Sequence, residues 1–148
     1  MPRLFVVAAA AALVVAPAAA AKFAVRLNVP AHVRVRQPVA VVVRTGDIGG
    51  GACRMRVVAI APGADERKAL AALVDGSIGV MTSTGLVVRR LRVTPAIGLR
   101  VALRRTGATA WRGTTRFPRA GRWKLVVPNW CAPGYATPSP AVRVVVVR

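Results

Sequence analysis

From Phe23 onward the apolar side chains recur at every second position, a period that builds half-buried β-strands and leaves little room for helices. Phe23, Val25 and Leu27 alternate with Ala24 and Arg26 up to the break at Pro30, and Val33 and Val35 alternate with Arg34 and Arg36 before Pro38. Proline cannot donate to a central ladder, so these segments read as edges or strand starts. The valine-rich run 39–44 reads as a buried central strand, and 53–60 as a strand with Arg54 and Arg56 on one side and Met55 and Val57 on the other. Further strands are expected over 86–93, 97–104, 111–117, 122–127 and 141–148, each bounded by Gly, Pro or polar residues. In 97–104 the positions Ile97, Leu99, Val101 and Leu103 share a core face, and Gly98, Arg100, Ala102 and Arg104 share the other. Eight or so short strands separated by turn signals point to a sandwich.

One helix interrupts this pattern. Pro62-Gly63 punctuates the chain, Asp65 and Glu66 stand in a first turn where they offset the macrodipole, and Leu70, Leu73 and Val74 follow at helical spacing. Asp75-Gly76 ends it, and a helix this short must dock on a sheet to persist. Residues 77–85 read as loop. The glycine-rich 46–51 segment is also a loop, because it lacks the Gly-Lys-Ser/Thr ending of a phosphate-binding turn and no helix signal follows.

The first 21 residues follow another rule. Met1-Pro2-Arg3, an apolar run from Leu4 to Val15, a break at Pro17 and the small residues Ala18 to Ala21 form the order of a secretion signal. The 18 residues from Leu4 to Ala21 are just long enough for a retained membrane anchor, but ten are alanine, which contributes little insertion energy. The expectation is a cleaved leader over 1–21 and one domain over 22–148, secreted or held at the cell envelope, with no transmembrane segment after cleavage. Two cysteines, Cys53 and Cys131, suit an oxidising compartment, where an even count in an exported domain implies a disulfide.

Charge is the strongest compositional feature, with 23 Lys and Arg against four acids and a formal net charge of +19. Such a field concentrates polyanions around the chain. The partners it selects are anionic lipid head groups, acidic envelope polymers or an acidic protein. Extracellular nucleic acid would also be attracted, but the aromatics do not interleave with the arginines as stacking readers require.

The stretch Trp111-Arg112-Gly113-Thr114-Thr115-Arg116-Phe117-Pro118-Arg119-Ala120-Gly121-Arg122-Trp123-Lys124-Leu125-Val126-Val127 resembles the closing hairpin of secreted immunoglobulin-like sandwiches, as in bacterial YtkA-like envelope domains. Phe117, Gly121 and Trp123 match the corner of that hairpin. The resemblance implies a mainly β fold, an immunoglobulin-like antiparallel β-sandwich with one short helix. It implies no activity by itself.

The catalytic inventory is nearly bare. His32 is the sole histidine and lies in a Pro30-Ala31-His32 turn, Asp65 and Glu66 are adjacent on a helix and diverge, and Asp47 and Asp75 are turn residues. No enzyme and no cofactor are expected. The alternative to a binding module is an envelope copper carrier using Met55, Met81 or His32 as ligands, although Met55 reads more simply as core. The candidate anion-binding residues are Arg89, Arg90, Arg92, Arg100, Arg104 and Arg105, read as one sheet face able to hold phosphates or carboxylates bidentately. Trp111 and Trp123 are expected as core plugs; Trp130 and Tyr135, flanking Cys131 in a proline-rich loop, are candidates for exposed contacts.

Overall fold

The computed structural model describes residues 25–46, 55–128 and 141–148. The expected leader over 1–21, Cys53, Cys131, Trp130 and Tyr135 lie outside the described residues. Eleven strands and one short helical segment follow in order: β1 Val25–Asn28, β2 His32–Val33, β3 Pro38–Thr45, β4 Val57–Ile60, α1 Glu66–Leu70, β5 Ser77–Thr82, β6 Gly85–Arg90, β7 Gly98–Val101, β8 Leu103–Gly107, β9 Ala110–Arg116, β10 Gly121–Val127 and β11 Ala141–Val147. They form a β-sandwich. One sheet has the order β1-β3-β9-β8 and the other β2-β11-β10-β4-β7. Every pairing is antiparallel except β2 with β11, which is parallel, so the second sheet is mixed where an antiparallel one was expected.

Alternation decides which side chains meet between the sheets. Leu27 from β1, Val39, Val41 and Val43 from β3, and Trp111 from β9 face Val57 and Ala59 from β4, Trp123, Leu125 and Val127 from β10, and Val145 and Val147 from β11. Burying a branched or aromatic side chain of this size stabilises by about 1.5–3 kcal/mol, so these positions carry most of the drive to fold.

A second, smaller core lies on the outside of the five-stranded sheet. Val58, Ile60 and Val126 point away from the sandwich and are covered by Ala69 and Leu73, which leaves β4 buried on both faces and explains its unbroken Val-Val-Ala-Ile run. Asp65 caps the helix, its carboxylate accepting from the Lys68 N–H at 2.8 Å. The last turn, Ala71–Asp75, widens to a π-helical turn in which Gly76 N–H donates to the Ala71 carbonyl at 3.0 Å, and Gly76 ends it in the left-handed region at φ 71°. Arg100 holds that end from the neighbouring β7, its Nε donating to the Leu73 carbonyl at 2.7 Å and its Nη2 to the Ala72 carbonyl at 3.0 Å.

The corner between β9 and β10 is closed by two aromatic rings. The Phe117 and Trp123 rings tilt at 51° with centroids 5.2 Å apart, and Trp123 Nε1 donates to the Arg119 carbonyl at 3.0 Å. Gly121 has φ 129°, and a Cβ there would meet Pro62 Cγ at 2.6 Å, so only glycine lets the two segments pass.

Three segments depart from the sequence reading. Residues 77–85, expected as loop, contain β5, which pairs along its whole length with β6 through a tight turn. The expected strand 86–93 ends at Arg90 and belongs to this two-stranded ribbon, not to the sandwich. The expected strand 97–104 is two strands: β7 pairs with β4 in one sheet and β8 with β9 in the other, the chain crossing between sheets at Ala102. Leu99, Val101 and Leu103 do all face the sandwich core. Ile97 instead packs with the helix, because it stands in the turn before β7, its N–H donating to the Thr94 carbonyl at 2.9 Å.

Candidate arginine face

In the four-stranded sheet every residue that fills the core leaves its neighbours pointing outward. Arg26 follows Val25 and precedes Leu27 on β1, Arg44 follows Val43 on β3, Arg112 follows Trp111 on β9, and Arg104 follows Leu103 on β8. Arg116 is the outward residue beside buried Thr115 and Phe117. All five are exposed. Register brings them together: Arg26 stands opposite Arg44, Arg112 lies between Val42 and Arg104, and Arg116 stands opposite Pro38.

Directly opposed residues on neighbouring strands have Cβ atoms about 4.5–5.5 Å apart, and like charges placed so destabilise the pair. The Arg26/Arg44 and Arg104/Arg112 pairs therefore form a surface that an anion relieves. None of the five arginine side chains has a hydrogen bond or ion pair among the described residues. Their donors are free for a planar, bidentate match to phosphate or carboxylate.

Beyond Arg26 and Arg44 the face continues over the sheet edge into a depression of about 980 Å³, lined also by Asn28 and Arg143. Arg143 Nε donates to the Leu27 carbonyl at 3.3 Å, tying β11 to the edge strand β1.

The acids stand elsewhere. The described carboxylates are Asp65, Glu66 and Asp75, all in the helical segment on the outside of the other sheet. Asp65 is committed to its cap, and both oxygens of Glu66 lie 2.6 Å from Lys124 Nζ. Among the described residues, the side chains over the four-stranded sheet therefore carry charge of one sign.

This set differs from the six arginines that the sequence suggested. Arg89 and Arg90 lie on β6, Arg92 lies just after it, and Arg100 clamps the helix end from the other sheet. Arg105 folds back, donating to the Gly107 and Ala108 carbonyls at 3.1 and 2.8 Å while its guanidinium sits 5.7 Å from the Trp111 ring centroid. Only Arg104 of the six is on the face. The six do not share a sheet, because the crossover at Ala102 and the separate ribbon send them to three different places. Arg26, Arg44, Arg112 and Arg116 were missed, though each carried a signal in being flanked by a core residue.

The proposed copper ligands are dispersed. Met55 is buried in the sandwich core, Met81 is exposed on β5, and His32 is exposed on β2, the edge of the sheet farthest from β7. Among the described residues no three His, Cys, Asp or Glu side chains gather as a metal site would require. No described helix is long and apolar enough to cross a membrane. Comparison with protein-family models, with curated proteins and with solved structures gives no match to this chain.

Proposed function

We propose that the protein is an exported, non-catalytic binding module of the cell envelope that captures anionic polymers on the outer face of the four-stranded sheet. The observation that carries this reading is the face itself: five exposed guanidiniums, two opposed like-charge pairs and, among the described residues, no carboxylate. A flat, extended array suits a polymer that lies across strands and presents phosphate or carboxylate groups at intervals. The Phe117, Gly121 and Trp123 corner resembles that of YtkA-like envelope domains and supports the same setting.

Affinity should fall steeply with salt. If all five arginines engage charges on the polymer, counterion release predicts a slope of log K against log salt of about −3.5 to −4.5, or a loss of roughly 100- to 500-fold between 50 and 200 mM. Titration of polyphosphate and of polyglutamate, with neutral dextran as control, measures it and separates phosphate from carboxylate preference. Salt-independent binding would sink the reading.

The same setting supports a disulfide between Cys53 and Cys131. The β4–β10 ladder pairs Val58 with Val126; Cys53 stands five residues before the first and Cys131 five residues after the second, equal offsets along antiparallel chains. A bridge closing so long a loop stabilises by roughly 4 kcal/mol in the chain-entropy description. Intact mass of the exported protein is expected to be two hydrogens below that of the reduced form, with free thiols detectable only after reduction.

A further inference from the structure

The β5–β6 ribbon stands apart from the sandwich. It pairs with neither main sheet, and it is tied to the body by the π-helical turn before it and by Leu91 N–H donating to the Gly76 carbonyl at 2.8 Å. A two-stranded ribbon is marginal in water unless a face is covered, yet four apolar side chains of this one reach into solvent. Met81 is 75%, Leu86 65%, Val88 64% and Val87 41% exposed. Met81 and Leu86 are cross-strand partners, and Val88 follows on the same face, while Val87 projects from the opposite one. Exposure on both faces does not suit a rigid partner, which would dock on one side; it suits a fluid apolar medium that closes around the ribbon.

The charges are arranged to match. No residue from Gly76 to Val88 is charged, and Arg89, Arg90 and Arg92 follow at the base. The turn is polar but internally satisfied, the Thr82 hydroxyl donating to the Gly85 carbonyl at 2.9 Å and lying 3.0 Å from the Thr84 hydroxyl. Apolar side chains capped by a cationic collar are the pattern of an element lodged at the interface of an anionic bilayer.

We infer that the β5–β6 ribbon is a membrane-interface anchor: Met81, Leu86, Val87 and Val88 enter the boundary between head groups and acyl chains, and Arg89, Arg90 and Arg92 contact anionic lipid phosphates. Unpaired strand edges are not tolerated in the hydrocarbon core, so the backbone stays at head-group depth and only side chains go deeper. This inference is independent of the arginine face, which lies on a different sheet and requires no lipid.

The test is amide hydrogen exchange of the full chain with vesicles of phosphatidylglycerol and phosphatidylcholine, or of phosphatidylcholine alone, together with co-sedimentation. Exchange over 77–90 is expected to slow several-fold with the anionic vesicles only. The double variant Met81→Thr with Leu86→Thr, which suits a strand and leaves the charge unchanged, should lose that protection and at least about tenfold in partitioning, as removal of two inserted apolar groups requires. Residues 1–21 are present in both forms, so their own lipid affinity cancels in the comparison. Three results would overturn the inference: unchanged exchange over 77–90 in a vesicle-bound chain, protection confined to β3 and β9, or protection without lipid that rises with protein concentration alongside a dimer. The second would credit the arginine face alone, and the third would assign the ribbon to pairing with a second copy.

Discussion

Replacing Arg26, Arg44, Arg104, Arg112 and Arg116 together by threonine is expected to weaken polyphosphate binding at 50 mM salt by at least about 100-fold and to flatten the salt dependence almost to zero. The argument rests on position, not on total charge. A control variant that removes Arg34, Arg67, Arg89, Arg92 and Arg122, all exposed and none on the face, lowers the net charge by the same amount. It should retain most of the affinity. Threonine supplies the β-branched character that strands favour, and the substitutions remove the Arg26/Arg44 and Arg104/Arg112 repulsions. The folded state should therefore survive with equal or slightly higher stability. Equal loss in the two variants would show that diffuse charge binds the polymer and that the sheet face has no special part.

The largest effect on stability is expected at Trp123. Its side chain is fully buried, it lies on β10 between β11 and β4, its ring packs on Phe117, and its indole N–H is satisfied by the Arg119 carbonyl. Trp123→Ala removes this volume from the centre of the core and is expected to cost about 3–5 kcal/mol. Domains of this size are held by only about 5–15 kcal/mol in all, so the urea midpoint should drop by about a fifth or more at an unchanged slope. Trp123→Phe keeps most of the contact but leaves the Arg119 carbonyl without its donor, and should lose less. A midpoint unmoved by the alanine substitution would mean that the corner is not the centre of the core.

The two halves of the molecule were unequally legible. The alternation at Leu27 and Val101 is local, so a reader of the chain can place these residues inside, and they are inside. The helix could be read for the same reason: Asp65, Leu73 and Gly76 act through spacing along one turn or two. The strand Ser77–Thr82 could not, because Gly79 weakens its pattern and its partner lies in the next segment, with no core beneath it to impose a period. The six arginines suggested by the sequence are dispersed for a related reason. Alternation says that Arg100 and Arg104 point away from the core, but not that the chain changes sheet between them, so one ends under the helix and the other on the open face.

What the amino-acid order determined alone was therefore everything set by near neighbours: a β-rich sandwich, its inner and outer positions, one capped helix and an excess of cations. What only the tertiary structure decided was which outward residues share a surface. That choice depends on strand order and on the crossover at Ala102, which join positions as distant as Arg26 and Arg116 in one sheet. The physical reason is that side-chain period is a property of a single strand, whereas a binding face is a property of the register between strands.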